Sequence, residues 1–182
     1  MARYAAGDKL AFVRLFALLA PRVRAFFLRS FSDGAVADDL MQTTFLKLHR
    51  ARESYRPEWP LKPWVFAIAA SVRRDELRRR YRLPPHVGES ELELAEPRLS
   101  AESQANEAAF EADRAGAVRA AIQRLPESHR AVLHLHCYEE LTFAQIADAL
   151  GTTSGAVRVR ASRAYERLRQ ELAQHLRQEE VA

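Results

Sequence analysis

The stretch LTFAQIADALGTTSGAVRVRASRAYERLR, residues 141–169, constrains the fold more than any other. Thr142 is followed three residues later by Gln145, the spacing at which two side chains satisfy each other's orphan amides at a helix start. Phe143, Ile146, Ala147 and Leu150 then fall on one helical face. Gly151 supplies a sharp turn, since only glycine takes a positive φ without steric cost. Thr153 or Ser154 caps a second helix, in which Val157, Ala161, Ala164 and Leu168 form a narrow apolar stripe. Gly155, Arg158, Val159, Ser162, Arg163 and Glu166 project from its opposite side. A short capped helix, a glycine turn and a second helix with a basic face make a helix–turn–helix, whose second helix fits the major groove of duplex DNA. Five arginines stand on that late helix, with Glu166 alone among them to balance charge. An arginine fork can meet guanine O6 and N7 together, or clamp a phosphate. The plainer alternative is a solvated helix in an ordinary bundle, where arginine serves as a good helix former; the capped geometry favours DNA.

The remainder is helical too. Alternation of apolar and polar residues is missing and Val and Ile are sparse, so strands are not expected. Ala11–Phe31 reads as a helix bent or broken at Pro21. Asp33 is a fair N-cap for a helix carrying Val36, Leu40, Met41, Phe45 and Leu48. A loop covers Arg52–Pro60, and a third helix runs from about Leu61 to Tyr81, tolerating Pro60 and Pro63 because they lie in its first turn. Beyond it a second block begins near Ala112, in which residues 117–125 and 126–140 read as two short amphipathic helices.

Charge divides the 182 residues into three. Residues 1–82 hold 17 Lys and Arg against 8 Asp and Glu, residues 83–113 hold 1 against 8, and residues 114–182 hold 10 against 8. Two basic blocks around an acidic strip point to contact with a polyanion at both ends. The expected architecture is all-α: two small helical domains, 1–82 and 112–182, joined by a flexible acidic linker over 83–111. The single Cys137 forbids an internal disulfide, which fits a reducing compartment. No apolar run is long enough to span a bilayer, and no signal peptide is visible, so a cytoplasmic location without membrane insertion is expected.

The first block carries its own signals. ADDLMQTTFLKLHRA sets Asp38, Asp39, Gln42 and Thr43 on the polar side of a helix. The two aspartates either favour the helix dipole from its first turn or face a basic partner. Tyr55, Trp59, Trp64 and Phe66 then come close together among Arg56, Lys62, Arg73, Arg74 and further arginines to Arg82. Aromatics interleaved with positive charge can stack unpaired bases while holding the backbone. Trp64 and Phe66 read as core, Tyr55 and Trp59 as exposed.

Taken in order, GDKLAFVRLF, ADDLMQTTFLKLHRA, PWVFAIAASVRRDELRRR and RLPESHRAVLHLHCYEELTFAQIADALGTTSGAVRVRASRAYERLR resemble a bacterial extracytoplasmic-function sigma factor. The resemblance spans both blocks. It implies promoter-directed initiation with core RNA polymerase, through the β′ clamp and β flap, on promoter DNA, and restraint by an anti-sigma factor. Carried over by position, Asp38, Asp39, Leu40, Gln42 and Phe45 bind polymerase. Tyr55, Arg56, Trp59, Lys62, Trp64 and Arg74 serve the −10 element. Arg158, Val159, Ser162 and Arg163 read the −35 element, with Phe143 and His136 flanking them. Thr43 stands where the family usually has Glu, Ser71 where it usually has Asn, and Val159 where a polar or basic residue is common.

Other readings have less behind them. A free-standing dimeric helix–turn–helix regulator would need a dimerisation surface and a palindromic site. No catalytic constellation and no cofactor motif stands out. His134 and Cys137 share a helical face, but no second ligand pair lies at zinc spacing, so no metal site is expected and Cys137 reads as a small buried hydrophobe.

Overall fold

The computed structural model describes residues 1–82 and 111–179. Among these residues the chain is helical, with no strand. Four helices precede the acidic segment: α1 (Ala2–Ala5), α2 (Lys9–Phe31), α3 (Gly34–Arg50) and α4 (Leu61–Tyr81), with a single 3-10 turn at Arg52–Ser54. Four follow it: α5 (Glu111–Gln123), α6 (Glu127–Cys137), α7 (Phe143–Leu150) and α8 (Ser154–Glu179). The linker expected over 83–111 lies outside the described residues except for Glu111, which opens α5.

The helix starts follow from capping. Asp8 and Asp33 each accept a hydrogen bond from the amide three residues on, Ala11 and Val36, at 3.1 Å. Thr142 and Gln145 form the reciprocal capping box at the start of α7. Pro21 does not break α2, which runs unbroken from Lys9 to Phe31. Its ring lies on the solvent side, and the carbonyl it leaves without an amide partner belongs to exposed Ala17, where water can serve. Asp38 and Asp39 are not in the first turn of α3, because the helix begins earlier, at Gly34 behind the Asp33 cap. Asp38 instead pairs with Arg24 of α2 at 2.6 Å, and that hydrogen bond holds its carboxyl below the usual range.

The two groups of helices share one continuous core. Leu19, Val23, Phe26, Phe27, Leu48, Val65, Phe66 and Leu77 from the first group are buried in the same cluster as Val132, Leu135, Ile146, Leu150 and Val157 from the second. The contact is made by α2 against α6 and by α4 against α7. At its centre the His134 ring lies 5.4 Å from Phe26 and 6.1 Å from Phe66, centroid to centroid, and stacks on Tyr138 at 5.5 Å. Cys137, expected to be buried, is exposed: it is the last residue of α6, where the chain leaves the helix. There its sulfur lies 3.1 Å from the Tyr165 hydroxyl, which is pushed up to about 12.

Chemistry fixes the state of His134. Arg29 Nη1 lies 3.3 Å from His134 Nδ1. A guanidinium only donates, so Nδ1 must hold the lone pair and Nε2 the proton. That N–H points towards the Glu139 carboxylate, 3.6 Å away. Burial is the largest influence on the ring and pulls its pKa down, and Arg29 and Arg22 act the same way, against Glu139. The folded form is therefore the neutral imidazole. An unfolded chain takes up a proton near pH ~6.5 that the folded chain refuses, so this contribution is full above that value and is lost as pH falls below it. Melting midpoints compared between about pH 7.5 and 5.5 should fall more steeply for the native chain than for His134→Phe. Parallel slopes would contradict the assignment.

Candidate nucleic-acid interface

The exposed side of α8 is built as its spacing expects. Val157, Ala161 and Ala164 are buried, while Arg158, Val159, Ser162, Arg163 and Glu166 face solvent. Thr153 provides the cap, its hydroxyl accepting from the Ala156 amide at 3.2 Å. One arginine departs from the expectation. Arg160 is 2% exposed and turned inward, since it lies three residues after Val157 and four before Ala164, on the buried side of the helix. The outward cationic face near the start of α8 is therefore Arg158 with Arg163, and Val159 between them is 48% exposed, available to a base methyl group. His136 packs on Phe143 at 4.7 Å between centroids and donates from Nδ1 to the Leu141 carbonyl at 3.1 Å. Its Nε2 is thereby left as the acceptor of the neutral ring, beside the start of α7.

The turn between α7 and α8 is set by Gly151, at φ +67°. A Cβ at this position would stand 3.1 Å from Arg74 Nη1. Arg74 donates from Nη1 to the Leu150 carbonyl, the last of α7, where a cation meets the negative end of the helix. One side chain of α4 thus braces the turn that aims α8.

On α3, Asp39, Gln42, Thr43 and Leu46 are exposed at intervals of three and four and form one face. Leu40 is half-buried and Phe45 is 5% exposed. Phe45 packs on Phe16 at 4.7 Å and Phe12 at 6.4 Å, so it supports this face from below and is not part of its surface. Leu46 is 60% exposed, and Val13 on the outer side of α2 is 61% exposed.

The residues expected to serve the −10 element do not share one environment. Trp59 is 48% exposed in the loop, with the Arg56 guanidinium 5.6 Å from its ring centroid. Tyr55 is tucked in, its ring edge-on to Trp64 at 5.0 Å and its hydroxyl donating to the Trp59 carbonyl at 2.8 Å. Trp64 is half-buried against the core, and Phe66 is fully buried. Lys62 and Arg74 both reach the second group of helices: Lys62 lies 3.5 Å from the Glu139 carbonyl and 3.8 Å from the Glu140 carboxylate, and Arg74 meets Leu150. The sequence gives no sign of this, because a cation on a helix face reads the same whether it meets phosphate or the end of another helix.

Comparison with known proteins follows this layout. Residues 15–83 match sigma-70 region 2, and residues 115–168 match sigma-70 region 4. The chain is 35% identical over 174 residues to the RNA polymerase sigma factor CarQ of Myxococcus xanthus, covering 96% of each chain. It is 31% identical to the ECF RNA polymerase sigma factor RpoE of Cereibacter sphaeroides, covering 91% of this chain and 88% of that one. Among solved structures, CnrH in complex with the cytosolic domain of CnrY is similar at a TM-score of 0.62 and 25% identity, covering 94% of each chain. The sigma factor RpoE of Bartonella quintana, solved with the anti-sigma factor NepR, shares the fold at a TM-score of 0.66 and 22% identity, covering 90% of this chain and 97% of that one. The chain belongs to the extracytoplasmic-function sigma factors, the small promoter-directing initiation factors of RNA polymerase.

Gly151→Ala should lower unfolding free energy by about 1–2 kcal/mol, the cost of a side chain in left-handed backbone. It should also displace Arg74, which chemical denaturation alongside a structure of the variant would reveal. Unchanged stability would mean that the turn relaxes without strain.

Proposed function

We propose that this chain binds core RNA polymerase and brings it to promoters through two modules, residues 1–82 and 112–182, with the acidic segment over 83–111 joining them. The single observation that carries this reading is the exposed face of α8, with Arg158, Val159, Ser162 and Arg163 side by side on a capped, glycine-turned helix. That face reads the −35 duplex, with Phe143 and His136 at its flank. The loop and start of α4, with Tyr55, Arg56, Trp59, Lys62, Trp64 and Arg74, serve the −10 element, where stacking of one captured base is worth roughly 1–3 kcal/mol. Removing a base from the duplex costs a few kcal/mol, so the polymerase-bound complex must supply the remainder.

The exposed line of Asp39, Gln42, Thr43 and Leu46 is the surface offered to the β′ clamp, beside Asp38 and Leu40 and supported by Phe45. The C-terminal module faces the β flap. No bond is made or broken by this chain in the proposed role. An anti-sigma partner is also part of the proposal, supported by the similar sigma factor RpoE of Bartonella quintana, which was solved with the anti-sigma factor NepR bound. No helix among the described residues is long and apolar enough to cross a membrane. Action in the cytoplasm follows from the proposed partnership with polymerase.

Run-off transcription with core polymerase on a genomic library, with the start sites sequenced, tests the reading as a whole. Start sites that appear only when the chain is added are expected; none appearing would refute it. Arg158→Ala should weaken −35 binding by about 1–3 kcal/mol if it makes a bidentate base contact. An unaltered footprint would transfer that role to Arg163. Asp39→Arg, on an exposed face, should reduce co-elution with core polymerase and leave the unfolding free energy within about 0.5 kcal/mol of the parent.

A further inference from the structure

The outward side of α8 is not uniformly cationic. At about 100° per residue, Gly155, Val159, Ser162 and Glu166 fall within a sector of about 60°, and Arg158 and Arg163 lie about 40° beyond its two edges. All six are exposed. The centre of the face therefore carries no cation, and the cations stand at its sides. In a major groove, the sides of such a face are placed for phosphates and outer bases, and the centre is placed for base edges. Residues near the start of a recognition helix are the ones that reach those edges, and Val159 is the sixth residue of α8.

Two features single out Val159. A β-branched residue is a poor choice for a solvated helix face, where arginine, glutamate or alanine costs less. Val159 is nonetheless 48% exposed at the centre of this one. Gly155, one turn earlier on the same line, is demanded by nothing in the surrounding fold. Its backbone is not left-handed, and beyond its own helix a Cβ there would meet only Thr153 Oγ1, at 3.9 Å, an ordinary contact. What the missing side chain opens is space on the outer side. The backbone can come close to a partner there, and Val159 is the first branched side chain presented to it.

Val159 has no donor and no acceptor. It gains only from an apolar group on a base edge, and in the major groove that group is the C5 methyl of thymine. Set against adenine, guanine or unmethylated cytosine, it would take a polar edge out of water without returning a hydrogen bond. A methyl at C5 of cytosine occupies the same place on the ring as that of thymine. The two bases differ at position 4, where thymine offers an acceptor and cytosine a donor. Ser162, the next residue along the line, carries a hydroxyl, which serves either. Val159 and Ser162 together are sensitive to the methyl and indifferent to the atom beside it.

We propose that Val159 reads the C5 methyl group of one pyrimidine in the −35 duplex, whether that pyrimidine is thymine or 5-methylcytosine. The inference rests on the reading of α8 as the −35 helix and names the chemical group to which its centre responds. A promoter with cytosine at this step then becomes a better site when that cytosine is methylated, so the chain can couple the methylation state of DNA to the choice of start site.

The test uses the full chain assembled with core polymerase, on a promoter duplex whose start site has been mapped by run-off transcription. Across the −35 segment of both strands, each thymine is replaced singly by deoxyuridine, which removes the methyl and keeps the pairing, and each cytosine singly by 5-methylcytosine. One step should respond: deoxyuridine weakens binding there, or 5-methylcytosine strengthens it, by about four-fold, the worth of one buried methyl group. At that step thymine and 5-methylcytosine should bind alike, and uracil and cytosine should both bind less well. Val159→Ser, at an exposed position that the core does not use, should abolish the response to the methyl. No responding step overturns the proposal, and so does an equal response in Val159→Ser. A step at which thymine exceeds uracil but 5-methylcytosine does not exceed cytosine overturns it too, since the atom at position 4 would then be read. An assembled complex that directs no start sites refutes the functional reading itself, a result that the run-off assay reports separately.

Discussion

Helix ends that stop inside a protein leave carbonyls without amides, and this structure depends on how those carbonyls are met. Arg130 donates to the Gln123 and Leu125 carbonyls at the end of α5, at 2.6 and 2.8 Å, and to Ser30 in the last turn of α2. A single buried guanidinium thus serves the negative ends of two helices from opposite halves of the chain. Arg74 does the same for α7. Each bond is charge-assisted, and a buried carbonyl left without it costs about 1–3 kcal/mol. These contacts fix the angle at which apolar surfaces such as Phe26 and Phe66 can meet the second group of helices. Burial of carbon supplies most of the driving force, and the cations select one arrangement among those that would bury it.

The same residue type therefore performs two tasks in this chain. Arg158 and Arg163 keep their heads in water on a surface shaped for a groove. Arg73, Arg130 and Arg160 are buried. Guanidinium suits both environments because it is planar, weakly hydrated and rich in donors. A sigma factor can then carry a strongly basic sequence without that charge being devoted wholly to nucleic acid.

Much of the fold was legible because its signals are local. The Thr142–Gln145 box, the Gly151 turn, the Asp33 cap and the Leu61–Tyr81 helix all occur as their spacing requires, and the outward face of α8 follows from the 3.6-residue period. What was not legible is tertiary. Arg160 reads as surface until Ala161 and its neighbours are packed. Cys137 reads as core until α6 is seen to end at it, with the residue at the surface. Phe45, assigned by position to the polymerase-binding set, is packed against Phe12 and Phe16 beneath that face, a depth that the sequence does not display. His134 invited a metal because His and Cys at a spacing of three suit one; the ring is instead held between Phe26, Phe66 and Tyr138, with each nitrogen facing a charged group. Its signal in the sequence was a polar residue in the middle of an apolar helix face, which states that something polar must answer it but not from where.

The shared core around Phe26, Phe66 and His134 bears on how such proteins can be recombined. Promoter preference is often treated as a property of exchangeable halves, so that grafting one relative's C-terminal half onto another's N-terminal half transfers only the address. Here the graft would also import one side of a packed interior, and the inner faces of α2 and α4 would have to suit a foreign α6 and α7. Hybrids built from parents that differ at Arg22, Phe26, Phe66, His134 or Glu139 would carry a mismatched interior along with the new address, and comparison of parents at those five positions is a rational filter before any such hybrid is made.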